Sequence, residues 1–300
     1  MTLFAVALVV FSALLHAGWN ILGKSNQVSG AAFFLATSSA AATLLTPYLI
    51  WYLNTIGLES LPPVFWKLLL VSGISQMVYL LGLGLAYKHA DIGVVYPMAR
   101  ALPVLMVGVG TVVLGHQLEP LHWFGFALIT LGCLVVPLDS FKQLNFSSYL
   151  NLGVLWALVA AVGTTGYSII DKEALLLINQ SVGELIADQY SSVFYLGIQF
   201  WAIAMPISVY LLATKQREQF GVAWKIRSSA LVAGSMMAAT YGLVLFAMTM
   251  TENVSFVVAL RQISIVFGLI MGVIFLKEKW YLTRGVGVLL ILIGLVLSLS

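Results

Sequence analysis

Apolar runs of about 20 residues recur along the whole chain and restrict it to one class of fold. A helix of ~20 apolar residues crosses the ~30 Å hydrocarbon layer of a bilayer. Ten such runs are predicted, separated by short polar or turn-forming segments. They cover residues 2–22, 30–54, 64–87, 92–114, 121–138, 149–170, 189–213, 229–250, 253–276 and 281–299. The sequence therefore predicts an all-α integral membrane protein with ten transmembrane helices.

The composition excludes a soluble protein of this length. Hydrophobic residues make up 61% of the chain and charged residues only 8%, which is too little charge for a water-exposed surface. The net charge of +3 is carried near helix ends, so it does not indicate nucleic-acid binding. We predict a multi-pass protein of the cell (inner) membrane, a monomer or homodimer, whose partners are the lipid bilayer and a small-molecule substrate.

The two halves of the chain carry matching residues at similar spacings. The segment GWNILGK at 18–24 in span one resembles GYSIIDK at 166–172 in span six. Asp91 precedes Arg100 by nine positions, as Glu252 precedes Arg261, and these pairs open spans four and nine. Internal similarity of this kind is typical of secondary transporters.

An odd number of spans in each half determines how the halves are oriented. After five spans the chain is on the side of the membrane opposite to the one where it started. Two fused five-span halves must therefore enter the membrane in opposite directions. The sequence thus predicts two inverted five-helix repeats, residues 1–140 and 149–300, around a central cavity.

Three segments resemble the EamA-type members of the drug/metabolite transporter superfamily. They are LHAGWN at 15–20, VYPMARALP at 95–103, and the stretch from VALRQ at 258–262 to LKE at 276–278. The resemblance extends over essentially the whole chain. It implies two EamA-like repeats surrounding a cavity and the movement of small metabolites by alternating access, without implying one substrate.

Arg100 and Arg261 are the strongest candidates for a functional site. They are the only charged residues well inside the predicted spans, and a deep arginine costs at least ~2.5 kcal/mol on insertion scales. Both are therefore expected to point inward. They either attract an anionic group or hold a gate, or they have the structural role of hydrogen-bonding to carbonyls of neighbouring helices. The two prolines of span four, Pro97 and Pro103, are expected to expose backbone carbonyls beside a cavity or to have no functional role.

Other polar and aromatic side chains recur at helical spacing. His16, Trp19 and Asn20 share one face of span one, and Ser72, Ser75, Gln76 and Tyr79 one face of span three. Such faces either line a solute path or join helices. The predicted substrate-binding residues are Arg100, Arg261, His16, Trp19, Asn20, Gln76, Tyr79, Tyr96, Tyr167 and Tyr241.

The distribution of nucleophiles and metal ligands argues against an enzyme. The four histidines are scattered without ligand spacing, and one cysteine cannot form a cysteine metal cluster, so no metal and no cofactor is predicted. The predicted function is transport of a small polar metabolite, such as an amino acid or organic acid, by alternating access. The alternatives are a lipid-linked substrate flippase and a non-transporting membrane scaffold.

Basic residues of the predicted loops indicate an orientation. Cytoplasmic loops carry an excess of lysine and arginine. Only Lys67 and Lys172 border the loops after even-numbered spans. The loops after odd-numbered spans are bordered by Lys24, Lys88, Lys142, Lys215, Arg217, Lys225, Arg227, Lys277, Lys279 and Arg284. This asymmetry predicts that the odd-numbered loops are cytoplasmic and that both termini face outward.

Overall fold

A computed structural model of the protein describes residues 1–23, 30–89, 92–143, 151–277 and 279–299. It describes the side chains of these residues except at 18–23, 87, 92–97, 143 and 276. The described part of the chain folds into α-helices joined by short connections, with single 3-10 turns at Leu58–Ser60 and Phe141–Gln143. The helices are α1 (Leu3–Gly23), α2 (Gly30–Ile56), α3 (Pro63–His89), α4 (Ile92–Val113), α5 (Pro120–Val135), α6 (Leu152–Val182), α7 (Asp188–Ala213), α8 (Glu218–Lys225), α9 (Arg227–Thr249), α10 (Val254–Leu260), α11 (Ile263–Leu276) and α12 (Leu282–Leu299).

The apolar helices identify an all-α membrane protein, as predicted. Among the described residues, seven helical stretches are long and apolar enough to cross a bilayer, and they lie in α2, α3, α6, α7, α9, the α10–α11 pair and α12. Shorter apolar stretches lie in α1, α4 and α5. Large apolar side chains such as Leu3, Val113 and Val296 are exposed on the outer surface, where lipid would cover them.

Helix α6 is longer than the sequence predicts. Span six was predicted to end at residue 170, directly before the charged residues Asp171, Lys172 and Glu173. The structure instead continues α6 to Val182, for 31 residues. Asp171 is fully buried and Lys172 is 4% exposed, so two charged residues lie inside the helix bundle.

Predicted span nine is interrupted where a single helix was expected. Helix α10 ends at Leu260, Arg261 and Gln262 form a turn, and α11 begins at Ile263. The Gln262 amide donates to the Ala259 carbonyl over 3.0 Å, so the Val258 carbonyl loses its usual helical donor. The Gln262 side chain replaces it, since Nε2 donates to the Val258 oxygen over 3.2 Å. Helix α4, where proline suggested a distortion, runs unbroken from Ile92 to Val113.

Helices α5 and α12 approach each other through glycines. A Cβ atom built on Gly125 would lie 2.7 Å from the Gly294 carbonyl oxygen, and one built on Gly132 would lie 2.6 Å from the Gly287 oxygen. Only glycine permits so close an approach of two backbones. Because residue numbers rise along α5 as they fall along α12, the two helices run antiparallel.

The remaining helices enclose a polar interior. Helix α3 packs against α6, α2 against α7, and α1 against α9, while α4 contacts both α5 and α6. These contacts bring the inner faces of α3, α4, α6, α9 and α10 together, and this is where the candidate site lies.

Candidate functional site

Residues of α3, α4, α6 and the interrupted span nine surround one small cavity. The volume of this cavity is about 20 Å³, which accommodates one or two water molecules and no metabolite. In this conformation the polar side chains fill most of the site. The cavity is lined by Tyr79, Ala99, Arg100, Thr164, Tyr167, Val258, Arg261 and Gln262.

Arg100 connects three helices at the edge of this cavity. Its Nη1 lies 3.1 Å from Nε2 of His16 in α1. Its Nη2 donates to Oγ of Ser264 in α11 over 2.6 Å and to the Arg261 carbonyl over 3.5 Å. Arg100 thus holds the interrupted span nine at the Arg261 carbonyl, which also accepts from the Ser264 amide over 3.2 Å, and at the first turn of α11.

Arg261 faces aromatic hydroxyl groups. Its guanidinium carbon lies 5.6 Å from the centroid of the Tyr241 ring, a distance at which a cation is attracted to the ring face. The phenolic groups of Tyr167, Tyr241 and Tyr79 are its main electrostatic neighbours. Neutral hydroxyls do not cancel the charge of the arginine, so Arg261 remains able to attract an anion.

Three of the four predicted tyrosines, Tyr79, Tyr167 and Tyr241, form one continuous cluster. The ring centroids of Tyr79 and Tyr167 are 5.9 Å apart, and those of Tyr167 and Tyr241 are 6.0 Å apart in an edge-to-face arrangement. Such spacing is favourable for aromatic pairs. The cluster forms one wall of the cavity and extends from it towards Asp171.

Asp171 is a functional candidate that the sequence analysis missed as part of a site. Its Oδ1 accepts hydrogen bonds from Ser72 Oγ at 2.5 Å, Tyr195 hydroxyl at 2.7 Å and Gln199 Nε2 at 2.6 Å. Its Oδ2 accepts from the Tyr241 hydroxyl. Four donors from three other helices satisfy this fully buried carboxylate, as its burial requires.

A polar stripe on α6 is the sequence signal from which Asp171 could have been predicted. Thr164, Tyr167, Ser168 and Asp171 follow the spacing i, i+3, i+4 and i+7, which places them on one helix face. The stripe is recognisable only when α6 is continued beyond residue 170. Lys172 lies next to this face, and its Nζ donates to the carbonyls of Met248 and Thr251 at the end of α9. It thereby satisfies carbonyls that a helix end leaves without partners.

The other predicted site residues are placed as follows. Gln76 lies in α3 and is not one of the residues that line the cavity, and its Nε2 is buried without a hydrogen-bond partner among the described residues. The side chains of Trp19, Asn20 and Tyr96 lie outside those that the structure describes, and so does Asp91. Four of the predicted residues line the cavity together: Arg100, Arg261, Tyr79 and Tyr167. His16 contacts Arg100, and Tyr241 contacts Arg261.

Comparison with known proteins yields a relative that matches over part of its length and solved structures of similar fold. No protein-family profile matches the chain. A probable 4-amino-4-deoxy-L-arabinose-phosphoundecaprenol flippase subunit ArnE of Pseudomonas savastanoi pv. phaseolicola is 36% identical over 67 residues, which are 22% of this chain and 55% of that protein. The match thus spans about half the length of that relative. A protein of known crystal structure is similar with a TM-score of 0.69 at 18% identity, over 98% of this chain and 96% of its own, which establishes the fold alone.

Together these findings define a class. The apolar helices, the buried polar site and the partial similarity to a flippase subunit fit a transporter-like, multi-pass membrane protein.

Proposed function

We propose that this protein is a flippase for a lipid-linked substrate with an anionic head group. Arg100 and Arg261 bind the anion, and the two halves of the protein rock around it. The observation that carries this proposal is that both arginines line one cavity among the apolar helices. Two guanidinium groups at one site suit a phosphate, whose oxygens accept paired hydrogen bonds.

The similarity to the flippase subunit favours a lipid-linked substrate over a free metabolite. The substrate in the name of that relative joins a sugar to a polyprenol through phosphate. A molecule of this kind has one anionic and hydrophilic end that must cross the bilayer, while its hydrocarbon chain stays in lipid. A polar site enclosed by membrane helices therefore needs to accommodate only the head group.

The helix packing supports ten spans arranged as two inverted five-helix repeats of the EamA type, residues 1–140 and 149–300. In that arrangement α1 corresponds to α6, α3 to α9 and α5 to α12. The contact of α3 with α6 then has its counterpart in the contact of α1 with α9. The antiparallel glycine contacts of α5 with α12 are expected where two equivalent helices meet at a pseudo-two-fold axis in the membrane plane.

Transport of a small soluble anion is the second candidate. The small volume of the cavity favours it, because about 20 Å³ expands more readily to hold a small carboxylate than a sugar phosphate. In either case we place the protein in the inner cell membrane. It would act as a monomer or homodimer without a cofactor and without catalysis.

Reconstitution into liposomes tests the proposal. A short-chain polyprenyl phosphate carrying an amino sugar is incorporated, and a membrane-impermeant amine reagent reports how much of it reaches the outer leaflet. We expect the purified protein to raise the reactive share above the half that protein-free liposomes show. Arg261→Ala should greatly slow the gain, whereas Arg227→Ala, which removes an exposed arginine, should preserve it.

Uptake of a soluble sugar phosphate or amino acid by the same liposomes distinguishes the second candidate. Uptake without lipid translocation would replace the flippase proposal with metabolite transport. The absence of both activities in correctly inserted protein would favour the scaffold alternative.

A further inference from the structure

Gln262 is fixed in one orientation beside the cavity. It is 4% exposed, and its Nε2 is held by the Val258 carbonyl at 3.2 Å. The opposite orientation of the amide would bring two oxygen atoms together and repel. The interruption of span nine therefore determines that Gln262 offers its carbonyl oxygen, Oε1, as the remaining polar atom.

Oε1 of Gln262 and Oγ1 of Thr164 are buried at the cavity, and neither has a hydrogen-bond partner among the described residues. A buried polar atom without a partner costs about 1–3 kcal/mol. Such atoms are rare in folded proteins and need a particular explanation. Here they lie beside two arginines, so that hydrogen-bond acceptors and cations line the same small space.

We infer that this site selects substrates in which a hydrogen-bond donor, a hydroxyl or an amine, lies next to the anionic group. The arginines bind the anion. Gln262 and Thr164 accept hydrogen bonds from the neighbouring hydroxyl or amine. This inference rests on the proposed function and makes it more specific, because it separates sugar phosphates and amino sugar phosphates from simple alkyl phosphates. A site with buried acceptors disfavours a ligand that leaves them without partners.

Two soluble phosphates of similar size provide the test. Glycerol 3-phosphate has two hydroxyl groups beside its phosphate, and propyl phosphate has none. Calorimetric titration of the full-length protein in nanodiscs measures the affinity for each. We expect glycerol 3-phosphate to bind about tenfold more tightly, which corresponds to one good hydrogen bond.

Matched variants of Thr164 relate that preference to the structure. Thr164→Val keeps the shape of the side chain and removes the hydroxyl, so it should reduce the preference several-fold by weakening glycerol 3-phosphate binding more than propyl phosphate binding. Thr164→Ser keeps the hydroxyl and should keep the preference. Gln262→Met should act like Thr164→Val, but it also removes the bond to Val258. For that reason Thr164→Val decides the question if the Gln262 variant fails to fold.

The possible outcomes separate the inference from the proposed function. Equal binding of the two phosphates by the unmodified protein would overturn the inference and leave the anion site intact. An equal loss of both affinities in Thr164→Val would show that Thr164 is structural and would also overturn it. If neither phosphate bound at millimolar concentration, the proposed anion site itself would be wrong.

Discussion

The hydroxyl of Tyr241 donates to Oδ2 of Asp171. The ring of the same tyrosine lies 5.6 Å from the guanidinium carbon of Arg261. One side chain therefore connects the buried carboxylate inside α6 with a cation at the cavity. A ligand that draws Arg261 away from the ring would alter the environment of Tyr241, and with it one of the four hydrogen bonds that Asp171 accepts.

We expect Tyr241→Phe to destabilise the folded protein. The ring and its contact with Arg261 remain, but Asp171 loses one donor in a buried network. Hydrogen bonds to charged groups contribute about 1.5–3 kcal/mol, so the free energy of unfolding in detergent should fall by that amount. Tyr48→Phe is the matched control, because the Tyr48 hydroxyl donates to the Tyr190 carbonyl at an exposed position. Equal stability of the two variants would contradict the network.

The glycine contacts between α5 and α12 predict that a larger residue there destabilises the protein. In Gly132→Ala the new methyl group would lie 2.6 Å from the Gly287 carbonyl oxygen, which forces the helices apart. Overpacking of this kind costs about 1–3 kcal/mol, and we expect a lower melting temperature and a lower yield of folded protein. Gly84→Ala, where no atom lies within 4 Å of the new methyl group, should behave like the unmodified protein. A stable Gly132→Ala protein would show that these helices do not meet in this way.

The planar guanidinium group of Arg261 should matter in addition to its charge. Arg261→Lys keeps the cation and loses the paired donors, so it should reduce transport of a phosphate or carboxylate less than Arg261→Ala does. For alanine we expect a loss of about ten- to a hundredfold in initial rate, from the 1.5–3 kcal/mol of a charge-assisted hydrogen bond. Initial rates in liposomes at matched protein density measure both.

Arg100→Ala provides the corresponding test for the other arginine. Its contacts with His16 and Ser264 predict a loss of stability as well as of transport. If both alanine variants insert normally and transport at the unmodified rate, the arginines are structural and the proposed mechanism is wrong.

The basic loops predict that the segment from Lys215 to Arg227 is cytoplasmic and that both termini face outward. Single cysteines at positions 220 and 300, labelled in intact cells with an impermeant thiol reagent, test this. The native Cys133 is buried at 1% exposure and should not react. We expect labelling at 300 and none at 220. The reverse pattern would invert the topology while leaving the repeat argument unchanged.

Hydropathy alone predicted the all-helical membrane fold, because the cost of placing polar residues in hydrocarbon acts on each segment independently of its neighbours. The same cost singled out Arg100 and Arg261 as inward-facing residues. Helical spacing also placed Tyr79 and Gln76 on one face of α3. Each of these inferences depends on local sequence.

Tertiary structure decided what no local pattern contains. Asp171 was predicted to lie just outside span six. The donors that make its burial possible come from Ser72, Tyr195, Gln199 and Tyr241, up to 99 residues away in sequence, so no local pattern shows them. The interruption at Gln262 likewise depends on contacts between distant helices, since Arg100 holds the carbonyl and the first turn beside it. A charged group, or a backbone carbonyl that has lost its helical donor, is tolerated inside a membrane protein only where other helices supply hydrogen-bond partners. Only the packed fold brings those helices together.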